Sequence, residues 1–202
     1  MISIDEIKKY LPKYLTPEAE DNLFQSLEDF PDNMDEKMYL SEHVSHESIY
    51  QGDAFNNFPV INLPSLIVKE ARVMVISNSC DMSSQNKRLY KKNVCYCPII
   101  KLNKFKEKLL KVFEEQNVNS LIDRIKKQEV SAIFFLPKGC FLEEDSFIFF
   151  DKIISYPTES LPDNIMNERV FTLHDYGLYI FIFKLSVHFT RINEDKGRSE
   201  NI

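Results

Sequence analysis

The chain has no tryptophan, only four glycines among its 202 residues, and no apolar run longer than the six residues Leu178–Phe183. So few glycines argue against a glycine-rich, phosphate-cradling loop, and the aromatic packing falls to sixteen phenylalanines and nine tyrosines, which favour β-structure. Six apolar residues fall far short of a bilayer, and Lys184 and His188 follow closely. Met1–Tyr10 carries Asp5, Glu6, Lys8 and Lys9, which excludes the pattern of a secretory signal and predicts a cytoplasmic protein. Four cysteines without a secretory context do not make a disulfide framework. Cys95 and Cys97 would share one face of a strand, and with Cys80 and Cys140 could complete a zinc site. Their C-x-C spacing lacks a nearby histidine, so they are read as buried free thiols. The sequence calls for no metal or cofactor.

Charge is distributed unevenly. Residues 1–50 hold twelve acidic and four basic residues, whereas 87–112 hold nine basic residues against Glu107 alone, within an overall balance of −6. Such asymmetry fits a nucleic-acid face, an acidic arm lying across a basic patch, or a solvated helix face with mobile lysines. The expectation is that the arm covers the patch.

The fold class expected is α+β: a small, strongly bent antiparallel sheet or SH3-like β-barrel of about five strands, with N-terminal helices, a helical insertion and a C-terminal helix. The division is an acidic helical arm over 1–48, a barrel domain over 49–192 with its insertion at about 103–128, and a flexible tail over 193–202. Helices are predicted over 2–15 and 17–30, the second capped by Thr16 with Pro17 following. Strands are predicted over 54–62, 72–77, 94–100, 132–136 and 146–156. A helix starts at Asn103, with Phe105, Leu109, Val112 and Phe113 on one stripe; Asn117-Val118-Asn119 breaks it, and Leu121–Gln128 forms another. Residues 178–189 fit either period, but about fifteen residues is long for a strand, which favours a buried helix from Asp175 to Thr190.

The densest chemistry is Ser77-Asn78-Ser79-Cys80-Asp81, at the exit of a near-continuous apolar strand. Ser79 or Cys80 there could act as a nucleophile, with Asp81 orienting a base, and Arg72 lies upstream. The same residue types also satisfy turn backbone groups, and that structural role is the weightier one because no histidine lies nearby in sequence. His174 or His188 would have to reach Cys80 from the C-terminal element. His174-Asp175 reads better as a helix start, with Asp175 or Thr172 as cap, and His43 and His46 lie in the arm without a metal motif. Arg72, Lys87, Arg88, Lys91 and Lys92 form a candidate phosphate-binding rim, with Tyr90 and Tyr96 as stacking surfaces. Gly52-Asp53 reads as a turn in which Asp53 bonds locally.

Three pieces in order, Gly52-Asp53, Arg72 with Val73–Ser77, and Val94–Ile100, resemble the MazF/PemK toxin family of small SH3-like barrels. The resemblance spans about a quarter of the chain. It implies a homodimeric barrel in a toxin–antitoxin or phage-defence setting that cleaves single-stranded RNA without a metal, with Arg72 matching the arginine that serves cleavage. The hydroxyl residue expected after the third strand is absent: Ile99, Ile100 and Lys101 stand there, and Val73 stands where a proline would follow Arg72. The chain is also similar to uncharacterised bacterial and phage proteins carrying Gln-Gly-Asp and Ser-x-x-Cys-Asp segments, a resemblance that extends to Tyr176-Gly177 and Phe189-Thr190-Arg191. The functional expectation is a non-enzymatic or accessory interaction module whose partner is an antitoxin or a defence-operon ATPase. The alternative is a metal-independent endoribonuclease, with Asp81 or Ser79 replacing the missing hydroxyl residue. No membrane partner is expected.

Overall fold

The computed structural model describes residues 17–28, 30–41, 48–83, 86, 89–139 and 142–190. The expected first helix, the expected tail, His43, His46, Lys87, Arg88 and Cys140 lie outside the described residues. The fold is α+β with antiparallel sheets of five and three strands. The five-stranded sheet has the order β7-β3-β2-β1-β8, built from β1 (Ala54–Asn62), β2 (Ile67–Val75), β3 (Asn93–Pro98), β7 (Ile154–Pro157) and β8 (Arg169–Phe171). The other has the order β4-β6-β5, from β4 (Ile100–Lys101), β5 (Ile133–Leu136) and β6 (Ser146–Phe149).

The two sheets are halves of one bent surface. β3 runs directly into β4, and while β3 pairs with β7, β4 pairs with β6. Between Tyr96↔Ile154 and Ile100↔Phe147, four steps along one strand answer seven along the other, so the extra residues around Phe150–Ile153 make the corner. Among the described residues β7 and β8 end one sheet and β4 and β5 the other, so the sheets do not close into a barrel. The strand expected over 146–156 is therefore two strands. β8, too short to carry a period, is a strand that pattern reading does not find.

β2 explains why the core has two parts. Val73 and Val75 face a cluster with Phe55, Phe58, Val94 and Tyr96, whereas Met74 faces the larger cluster with Ala54, Cys97, Phe134, Phe147 and Phe181. A strand covered on both faces reads as a continuous apolar run, as Val73–Ile76 does. β2 begins at Ile67, five residues before the expected Arg72, because its first half is exposed and mixed in character.

Among the helices, α1 (Pro17–Glu28), α2 (Met34–Lys37), α3 (Ser79–Met82), α4 (Leu102–Leu109), α5 (Glu115–Lys126) and α6 (Asp175–Thr190) follow in order. α5 runs through Asn117-Val118-Asn119 rather than starting after it, because Val118, Ile122 and Ile125 share its buried stripe. The break falls at 110–114 instead, leaving Val112 and Phe113 exposed rather than on the stripe of α4. α6 has the expected bounds, and its buried residues Tyr176, Gly177, Tyr179, Ile180, Phe181 and Lys184 cover somewhat more than half of its circumference. Among the described residues no helix is long and apolar enough to cross a membrane.

The described part of the acidic arm packs on α6 and beside β8. Leu23, Met34, Met38 and Tyr39 belong to the main core, and the chain at Met38–Leu40 pairs with Thr172–His174. Gly177 permits this contact: a β-carbon there would stand 2.4 Å from the Met38 carbonyl oxygen and 2.8 Å from its sulfur. Ala is ordinarily the better helix former by about 1 kcal/mol. Here Gly177→Ala should instead destabilise by about 1–3 kcal/mol, seen as a melting temperature lower by several degrees with faster proteolysis near Met38. An unchanged or raised melting temperature would show that this contact is not close-packed.

Candidate functional site at the exit of the second strand

The side chains of Ser77, Asn78 and Ser79 after β2 accept from backbone amides of their own turn and of neighbouring segments. Asn78 caps α3, its Oδ1 accepting from the Cys80 amide at 2.9 Å. Ser77 Oγ accepts from the Cys95 amide at 2.8 Å, while the Ile76 and Ser77 amides both donate to the Cys95 carbonyl. Ser79 Oγ accepts from the Gln51 amide at 2.9 Å, and Gln51 Nε2 returns a bond to the Ile76 carbonyl at 2.8 Å. Ser79 thereby ties the Gln51-Gly52 turn to α3. Cys80 is exposed, its carbonyl accepting from Asn86 Nδ2, and Asp81 sits half-buried in the same turn.

Arg72 lies elsewhere. Its Nε donates to Asn56 Oδ1 at 2.9 Å, beside the bulge at Asn56–Asn57. Five residues at about 3.3 Å each separate it from Ser77 by roughly 16 Å, so Arg72 and Ser79–Asp81 do not form one constellation. The described members of the basic rim divide between two elements. Lys92 Nζ donates to the Ser83 carbonyl at 2.7 Å, at the end of α3. Lys91 pairs with Glu159 at 2.6 Å, and that bond raises its pKa. Tyr90 is exposed, but Tyr96 is buried with its hydroxyl donating to the Pro59 carbonyl, so Tyr96 offers no stacking surface. Burial pushes that hydroxyl up to about 12.

Cys95 and Cys97 share the face turned to the main core, as the two-residue spacing predicts. Burial pushes the Cys97 thiol up to about 12, so it stays protonated and unreactive at neutral pH. Among the described residues no group of three His, Cys, Asp or Glu is placed to hold a metal ion. His174 starts α6 and supplies its own cap, Nδ1 accepting from the Tyr176 amide at 3.4 Å, where Asp175 or Thr172 was the expected donor of the capping oxygen. His188 packs between the rings of Phe150 and Phe189. No protein-family model and no curated protein matches this chain.

One buried polar group that sequence reading misses lies directly behind the turn. Asp53 Oδ2 stands 3.3 Å from Arg169 Nη2, with both side chains withdrawn from solvent. Asp53 Oδ1 accepts from Thr172 Oγ1 at 2.6 Å and Oδ2 from the Tyr50 amide at 2.8 Å. The Tyr50 bond is the local one expected of Asp53; the others come from β8 and the residue after it. Burial raises the Asp53 carboxyl above its ordinary value, opposed by the Thr172 and Tyr50 bonds and by the guanidinium. Arg169 also donates to the Ser48 carbonyl and lies over the rings of Tyr50 and Phe55. The network fastens Gly52-Asp53 to β8 and is architectural.

Proposed function

We propose that this chain is a non-enzymatic accessory interaction module, built on a MazF/PemK-like β-fold of SH3 type and working in a bacterial or phage conflict system. Its partner would be a protein such as an antitoxin or a defence-operon ATPase. The observation that carries the reading is the use of the polar side chains after β2. Asn78, Ser77 and Ser79 each satisfy a backbone amide, while Arg72 is held by Asn56 some 16 Å away along the strand. Acid–base or nucleophilic chemistry needs its groups within hydrogen-bond reach of one another. Cys80, exposed on α3, has no histidine bonded to it among the described residues.

In the second reading RNA is held by its phosphates and cut without a metal, with Lys92, beside the end of α3, as a phosphate contact. Incubating the intact protein and its Arg72→Ala variant with mixed single-stranded RNA separates the two. We expect both samples to leave the RNA at full length. The test uses the full chain, because removing residues 1–50 would strip Leu23, Met34, Met38 and Tyr39 from the core.

A further inference from the structure

α4 carries a row of lysines that its own packing does not employ. Lys104, Lys108 and Lys111 follow at i, i+4 and i+7, opposite the stripe of Leu102, Phe105 and Leu109 that faces the core. All three are exposed. Lys101, just before α4, pairs with Glu144, and Lys126 at the end of α5 pairs with Asp145. The row finds no carboxylate among the described residues. The described part of the acidic arm, expected to cover such a patch, packs on α6 and beside β8.

Helix stability does not account for the row either. Lys104 stands in the first turn, where the helix dipole disfavours a cation, and no acidic residue offsets it there. Lys104 and Lys108 are like charges one turn apart, which weakens a helix. Apolar side chains stand open at the end of the same row: Leu110, Val112 and Phe113 are 40, 74 and 57% exposed. The amides of Val112 and Phe113 both donate to the Leu109 carbonyl, at 2.9 and 2.8 Å, so a hydrogen-bonded turn holds these residues out.

We propose that this face of α4 and the turn after it dock an acidic segment of a partner protein, with carboxylates over Lys104, Lys108 and Lys111 and apolar side chains on Val112 and Phe113. The inference rests on the interaction-module reading, for which it names the surface and the partner's chemistry. The row is about 10 Å long, the reach of two turns of a helix, on which carboxylates spaced i, i+4 and i+7 match the lysines. Charge complementarity selects the sign of the partner, and the apolar residues select its class. The phosphates of RNA would take the lysines but leave Leu110 and Val112 in water. Glu107, Glu114 and Glu115 are exposed around the same surface and would oppose phosphates, those of an anionic bilayer included. The chain's balance of −6 also repels a long polyanion. A short acidic segment meets mainly the local lysines, since screening confines the field to about 10 Å.

Fluorescence anisotropy on the full chain tests the proposal, with a labelled helical peptide that bears Glu at i, i+4 and i+7 and Leu beside that row. At about 50 mM salt the dissociation constant should be on the order of 100 µM and should rise with salt. Lys104→Gln/Lys108→Gln/Lys111→Gln should weaken binding at least about tenfold, as three exposed ion pairs are lost. Val112→Ser/Phe113→Ser should weaken it by about as much, and so should exchanging the peptide's Leu for Ser. All the replaced side chains are exposed, so both variants should keep the melting temperature of the unaltered protein. No binding at about 1 mM peptide, or binding that survives either variant, would overturn the proposal. Tighter binding of an oligouridine of equal charge, or of phosphatidylserine vesicles, through the same lysines would overturn it as well. An unbound peptide beside intact RNA would remove this inference alone, whereas cut RNA would remove the reading beneath it.

Discussion

Asp53→Ala should destabilise the protein by about 3–5 kcal/mol, because it leaves the Arg169 guanidinium buried without its counter-charge. Both side chains are almost fully withdrawn from solvent, so water cannot replace the lost partner. The substitution also removes the acceptors for Thr172 Oγ1 and the Tyr50 amide. Gly52-Asp53 would lose its fastening to β8, and the turn that receives Ser79 would loosen with it. Urea unfolding reads the effect. The double variant Asp53→Ala/Arg169→Met should recover much of the loss, since removing both charges is far less costly than stranding one. A loss below about 1 kcal/mol for Asp53→Ala would place the pair among exposed ones and contradict the structure.

The second large effect is a pH dependence centred on Lys184. Its ammonium is buried on α6 and donates to the Gln128 carbonyl at 2.7 Å, to Gln128 Oε1 at 3.0 Å and to the Val130 carbonyl at 3.1 Å. The Gln128 carboxamide in turn exchanges two bonds with the Phe135 backbone, so Lys184 fastens α6 to the turn that joins α5 to β5. Burial pulls the lysine down to about 7 from an ordinary 10.5. Between those values the unfolded chain binds more protons than the folded one, so stability contributed at this site rises with pH, by up to about 1.4 kcal/mol per unit. Below pH 7 both states are protonated and the slope vanishes. Lys184→Met should remove the slope. Urea unfolding at pH 6, 7, 8 and 9 should show the stability of the unaltered protein climbing relative to the variant above pH 7. Parallel curves would mean that the lysine is charged at all these values.

What sequence reading finds and misses follows from the range of each interaction. β1 and α6 have the predicted bounds because their apolar content is dense and local. The first half of β2 escapes because Lys69 and Glu70 interrupt the apolar run in an exposed ribbon. Asn117 and Asn119 look like a break only until Val118 is placed on a stripe with Ile122 and Ile125; weak propensity yields to packing. The cluster at the exit of β2 is legible as a place, and its Ser and Asn side chains take the turn-satisfying role expected of them. The separation of Arg72 from the cluster follows from strand rise once β2 is placed; its bond to Asn56 beside the bulge of β1 carries no sequence signal. Asp53 and Thr172 are 119 residues apart, and Lys184 is held by oxygens on Gln128 and Val130 that carry no pattern.

We propose that the exit of β2 is scaffold rather than a catalytic centre. End-labelled single-stranded RNA of mixed sequence, held for hours with equimolar full-length protein and resolved by length, tests it most directly. RNA of unchanged length is expected with the unaltered protein and with Arg72→Ala alike. Fragments that appear with the unaltered protein and vanish with Arg72→Ala would contradict it.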